Sequence, residues 1–172
     1  AILVTQIAAA AAGISWMAVE WMLRGRPSLL GLISGAVGGL VVITPASGFV
    51  GPVAALIMGL VGGVCCFWGA VVLKRWAGWD DSLDAFGVHV VGGIVGAILT
   101  GVFATSAVTG TDMNPVMTQV GIQATSVLAT IVYAGAVNWI LLKIVDKVIG
   151  LRVTADDERM GLNLSLHGER IE

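Results

Sequence analysis

Charge is what this sequence has least of. Asp, Glu, Lys and Arg make up 12% of its 172 residues and hydrophobic residues 57%, whereas a soluble domain carries about 25% charged residues. A surface so poor in charge does not keep a globular domain in water. Disorder is excluded as well, because low hydrophobicity and high net charge are what hold a chain unfolded. Any basic excess is missing: the net charge is −2, and a nucleic-acid binder needs a basic stripe to neutralise phosphates. Cysteine is limited to the neighbours Cys65 and Cys66, which are no disulfide framework. Histidine occurs twice, as His89 and His167, too few ligands with their surroundings for a metal site. What remains is an all-α integral membrane protein.

The few charges divide the chain. From Pro27 to Leu73 run 47 residues without Asp, Glu, Lys or Arg. A single helix of that length would extend ~70 Å, more than twice the ~30 Å hydrocarbon core. The stretch must fold back at Thr44–Pro52, where two prolines and two glycines fall within nine residues and break helical bonding. Similar reasoning predicts five transmembrane helices, at about residues 1–23, 29–43, 53–73, 82–104 and 120–145, and a polar tail over 146–172. With five spans, the first and third connectors share one side with the tail. That side collects Arg24, Arg26, Lys74, Arg75, Lys147, Arg152, Arg159 and Arg170, and Lys143 points the same way. Basic residues accumulate on the cytoplasmic side, so the tail is expected to be cytoplasmic and residue 1 outside. A four- or six-span arrangement would scatter them. Because Ala1 is not Met and the first segment has no flanking anchor or signal-peptide pattern, the chain reads as the C-terminal part of something longer.

Gly31, Gly35 and Gly39 repeat every four residues, as do Gly59 and Gly63, and Gly92 and Gly96. On a helix this spacing lines small residues along one face, where neighbouring backbones approach closely. Trp16, Trp21, Trp68, Trp76 and Trp79 lie near segment ends, and most are expected to anchor at the membrane interface. Cys65 and Cys66 read as small buried hydrophobes.

One ionisable group stands out within a span. The fourth segment opens Asp80-Asp81-Ser82-Leu83-Asp84-Ala85-Phe86-Gly87-Val88-His89. Asp81 and Asp84 fit a helix N-cap and its acidic third position. A helix starting there puts His89 ~12 Å from the end, near mid-membrane. An intramembrane ionisable residue points to function, against the alternative of a neutral His satisfied by a neighbouring helix. A bis-His haem would need a second facing His, and His167 lies in the tail. A hydrolase would need a nucleophile on a shaped turn, which neither Ser34 nor Ser47 has around it. No enzyme, metal or cofactor is indicated. Binding or conduction is left.

These residues, continuing into Gly92-Gly93-Ile94-Val95-Gly96, resemble the penultimate helix of the ammonium transporter (Amt/Mep/Rh) family. Gly31 to Pro52, with Ser34-Gly35-Ala36-Val37 and Ile43-Thr44-Pro45-Ala46, resembles an earlier helix pair. Gly150-Leu151-Arg152-Val153, Gly161-Leu162 and His167-Gly168-Glu169 resemble the family's cytoplasmic C-terminus. The likeness runs in order along essentially the whole chain. It implies spans seven to eleven of an eleven-span fold, assembled in the cell membrane as a homotrimer with one pore per subunit. His89 would be the second of two pore histidines, with Ala85 on the same face, and the first histidine would belong to the other half. In the family, ammonium sheds a proton before an apolar constriction and ammonia passes. This chain alone is therefore expected to form no complete pore. Asp81 would be structural, and Asp84 would lie at the cytoplasmic mouth, where a PII-type signal protein docks. An ammonium sensor and an Rh-type gas channel are the alternatives within the same fold.

Two positions depart from the family pattern. Val90 stands where Gly usually follows the histidine, and Asn163 where Asp is usual, and the chain ends at Glu172 without the common aromatic. In the tail, Thr154-Ala155-Asp156-Asp157 reads as a capping box and Gly161 as a helix stop. The resemblance makes Ser165, His167, Gly168 and Glu169 a regulatory segment, with Ser165 near a position that some members phosphorylate.

Overall fold

The structure, a computed structural model, describes residues 1–169. Arg170, counted above on the basic side, and the terminal Glu172 lie outside the described residues. Among those described, eight helices and no strand occur: α1 (Ile2–Arg24), α2 (Leu29–Ile43), α3 (Pro52–Ala77), α4 (Phe86–Phe103), α5 (Ser106–Thr109), α6 (Val116–Val148), α7 (Ala155–Met160) and α8 (Leu162–Ser165). Helices α1, α3, α4 and α6 are long and apolar enough to cross a membrane, and α2 is a shorter apolar helix. The chain divides into two compact units, residues 1–128 and a second that begins at Ala129.

In the first unit, α1 is clasped by α2 and α3 through glycine. A Cβ added to Gly39 would meet the Ala12 Cβ at 2.6 Å, and one added to Gly59 would meet the Ala8 Cα at 2.8 Å. Gly35 and Gly63 abut the same stretch of α1, against Trp16 and Ala12 respectively. Here the four-residue glycine spacing lets three backbones approach with only small side chains of α1 between them. Dispersion over such contacts is a principal attraction between helices in lipid, where apolar surface gains little from leaving the solvent. Gly96 of α4 sits the same way on the Val42 backbone of α2. The core around this contact includes Val42, Ile43, Ala55, Met58, Cys66 and Phe67. Cys66 is buried against Gly38 and Gly92. Trp16 is buried too, edge-to-face with Phe67 at 5.5 Å between ring centres. It is therefore a core residue, whereas Trp21, Trp68 and Trp76 are exposed.

Helix α2 stops short because its end unwinds within the protein. Residues 44–49 continue as turns, closed by Ala46 N–H on the Ile43 carbonyl at 2.9 Å and Phe49 N–H on the Ala46 carbonyl at 2.8 Å. Ala46 and Val50 are buried there. The Phe49 carbonyl accepts from Thr105 N–H at 3.0 Å, which ties this connector to the far end of α4.

Two helices carry a π-helical turn: Trp68–Leu73 in α3 and Phe86–Val91 at the start of α4. Such turns add a residue to the α-helical path and occur often at functional sites. They cross where Gly69 meets Gly87, and a Cβ on Gly69 would lie 3.0 Å from the Gly87 Cα.

The α4 start differs from the expected Ser82. Asp84 adopts a left-handed conformation, φ 55°, which only Gly, Asn and Asp tolerate with ease. That kink ends the 81–84 turn, and helical geometry begins at Ala85. In the second unit, Thr154 caps α7 by accepting from Asp157 N–H at 3.2 Å, and Gly161 follows the helix at φ 91°.

Candidate functional site

Asp81 and Asp84 divide the work of starting α4. The Asp81 carboxylate accepts from Ala85 N–H and Phe86 N–H, each at 2.9 Å. The Asp84 carbonyl accepts the Val88 N–H at 2.9 Å, so Asp84 takes the backbone role expected of Asp81 and is not the third residue of the helix. The physical reason is the left-handed Asp84, which turns the chain so that the carboxylate three residues back, that of Asp81, meets the first free amides. Lys74, at the end of α3, grips the same turn. Its ammonium donates to the Asp81 carbonyl at 2.8 Å and pairs with the Asp84 carboxylate. Trp79 packs edge-on against Phe86 at 4.5 Å between ring centres.

His89 occupies the π-helical turn and is exposed, as is Ala85 one turn earlier. Four residues separate His89 from Ala85, where helical geometry begins. This corresponds to roughly 6 Å of rise at the α-helical value, half of the depth expected from a start at Ser82. Gly87 and Val88 face inward and are buried. Val90 is 40% exposed, so its branched side chain stands on the open side, whereas Gly87 is buried.

Sequence reasoning passed over an ionisable residue that is buried within a helix. Glu20 of α1 is 3% exposed. Its carboxylate accepts from the Arg24 guanidinium at 2.8 Å, from Ser28 N–H at 3.1 Å and from the Ser28 hydroxyl at 3.0 Å. Ser28 Oγ in turn accepts from Gly31 N–H at 2.9 Å, capping α2. Gly31 is the residue that leaves room for the carboxylate, since any Cβ there would collide with Glu20. The signal was present in the sequence as a lone acid one helical turn before Arg24. The Glu20 clamp and the Lys74–Asp84 pair both line a cleft of ≈ 170 Å³, together with Ser34 and Arg75. Among the described residues, no group of three or more His, Cys, Asp and Glu could hold a metal ion.

The tail residues lie apart in sequence and belong to the second unit. Glu169 N–H donates to the Asn163 carbonyl at 2.9 Å, and Gly168 adopts φ 66° to allow that return. His167 is exposed. The Ser165 hydroxyl is shielded from solvent and has no hydrogen-bond partner among the described residues.

The sequence matches the model of the Ammonium Transporter Family over residues 1–171. The chain is 45% identical over 167 residues to an ammonium transporter of Bacillus subtilis, covering 94% of this chain and 41% of that protein. It is similar in structure to Saccharomyces cerevisiae Mep2, with a TM-score of 0.82 at 37% identity over 90% of this chain and 37% of that one. A protein described as Sensor Amt Protein superposes with a TM-score of 0.88 at 32% identity, over 96% of this chain and 41% of the other. The chain thus spans about two-fifths of the length of these relatives, and its helices are those of a membrane-embedded protein. It belongs to the ammonium transporter family.

Proposed function

We propose that this chain supplies part of the conduction path of an ammonium transporter or channel, with His89 and Ala85 on the wall of the path. The observation that carries this reading is an ionisable side chain exposed on a membrane-spanning helix, in a π-helical turn, beside a face the chain's own helices leave open. An exposed histidine facing lipid is unfavourable, which argues that other protein, or a narrow aqueous path, covers it. Bare NH₄⁺ would lose its hydration there at a cost that hydrogen bonds to one imidazole do not offset. Neutral ammonia avoids that penalty, and a neutral imidazole both donates and accepts. The reading is therefore deprotonation before the constriction and passage of ammonia, with His89 handling the proton.

Asp81 serves as the structural cap of α4 and Asp84 stands at the mouth, where a PII-type regulator would dock. The tail turn of Ser165, His167, Gly168 and Glu169 is the regulatory segment. The assembly is a homotrimer in the cell membrane with a cytoplasmic C-terminus, in keeping with the basic residues of the α1–α2 and α3–α4 connectors. A sensor role is the second reading, and the likeness to Sensor Amt Protein favours it.

The test is the ammonium-pulse current of proteoliposomes holding the transport-competent protein that contains this chain. His89→Ala is expected to abolish the current or uncouple it from protons. An unchanged proton-coupled current would remove His89 from the mechanism, and binding of ammonium with no current in the unmodified protein would favour the sensor.

A further inference from the structure

We infer that Lys74 is a positioning residue for His89, acting through the Asp81–Asp84 turn. The inference rests on the reading of His89 as the conduction-path histidine and deepens it.

The geometry forms a chain of dependence. The π-helical turn Trp68–Leu73 ends immediately before Lys74, so the extra residue in that turn sets which side of α3 the lysine leaves from. From there its ammonium reaches both the Asp81 carbonyl and the Asp84 carboxylate. Asp84 is the one described non-glycine residue at positive φ, a conformation that needs its surroundings to hold it. Held so, it aims the Asp81 carboxylate at the amides of Ala85 and Phe86, the residue that precedes the π-helical turn carrying His89 and the first residue of that turn. Below this cap, Gly69 and Gly87 lock the two π-helical turns backbone to backbone. His89 lies two residues beyond Gly87 in the same π-helical turn, so a cap loosened at the start of that turn would be felt there. Both partners of the Lys74–Asp84 pair are about 30% exposed, enough burial to shield the bond from full screening. Arg75, the adjacent cation, makes no hydrogen bond or ion pair among the described residues, so the effect belongs to the bond and not to positive charge in general.

The test needs no transport. The protein that contains this chain is placed in lipid nanodiscs as Lys74→Met, Lys74→Arg and Arg75→Gln, and two quantities are read by NMR at one pH. These are hydrogen exchange at Ala85 and Phe86 and the imidazole resonances of His89. Lys74→Met is expected to speed exchange at both amides by about tenfold or more, as loss of a charge-assisted bond predicts, and to move the imidazole resonances. Lys74→Arg restores both in part, Arg75→Gln changes neither, and protection at Gly59 and Gly63 is kept. Imidazole resonances that stay in place in Lys74→Met would overturn the inference. So would an equal change in Arg75→Gln, or exchange that rises uniformly through α1–α3, since that is a general structural role. If Lys74→Met does not fold, Asp84→Asn removes the same pair from the other side while tolerating the left-handed backbone, and the same readouts decide. The current of His89→Ala is judged separately. Full current there would sink the transport role of His89 and leave the dependence of its imidazole on Lys74 standing.

Discussion

Helices α1 and α6 are equally apolar over their most hydropathic 18-residue windows, yet 39% of the first window is buried and none of the second. Hydropathy therefore separates what can enter a bilayer from what cannot, and says nothing about which helix packs against which. The difference lies in which helices the structure sets against each. Helix α1 offers Ala8, Ala11, Ala12 and Gly13 to the glycines of α2 and α3, so three backbones meet. Helix α6 presents large exposed side chains such as Tyr133, Trp139 and Leu142, and its glycines at 121 and 135 have open space where a Cβ would go. Helix α1 also hides a charge, Glu20, at the end where its small-residue face gives out.

The contrast can be broken most forcefully at Gly59. Gly59→Leu would drive a branched side chain into the Ala8 backbone, and overpacking against backbone is expected to destabilise by more than about 3 kcal/mol. Denaturant titration in detergent micelles measures it, and a loss below about 1 kcal/mol would mean that α1 can step aside. Arg24→Ala is the intermediate case. It leaves the buried Glu20 carboxylate with Ser28 alone, but Arg24 is 45% exposed and its bond partly screened, so about 1–2 kcal/mol is expected. Restoration by the further change Glu20→Gln would confirm that the deficit is the uncompensated carboxylate. The smallest effect is Gly135→Ala on α6, where added helix propensity with no steric cost should be neutral to stabilising by up to about 1 kcal/mol. A clear loss at Gly135 would show that α6 has a close neighbour supplied by another chain or segment.

Much of this was open to reading from the sequence. The helical class follows from the uncharged runs, and the glycine repeats announced close packing, though not that α1 would receive it from two sides. The His89 segment was identifiable by its residues. Three things were not. Glu20 was absorbed into an apolar segment because a single acid scarcely lowers the hydropathy of its neighbours, and its partner Ser28 lies across a turn. Lys74 entered only as one more positive charge for the topology, since its bonds run to residues seven and ten positions on, a spacing no helix period reveals. The left-handed Asp84 was equally invisible: Ser82-Leu83-Asp84 has a composition that an ordinary first helical turn would accept, and the Lys74–Asp84 pair that accompanies the turn is a tertiary contact. For the same reason, π-helical turns leave no mark in a pattern scored at 3.6 residues per turn.

Those two π-helical turns also bear on how such a sequence can change. Each holds one residue more than an α-helix would need, so deleting one residue within 68–73 would let that stretch relax to ordinary α-helix while everything after it stays in phase. Straightening the stretch with all of its residues kept would instead rotate Lys74 off the Asp81–Asp84 turn by about 100°. A matching deletion within 86–91 would leave the remainder of α4, with Gly92 and Gly96, in its seat. Each π-helical turn is thus a place where the loss of one residue can be absorbed without loss of phase. Differences of one residue in length among relatives through 68–91 should fall within these two turns.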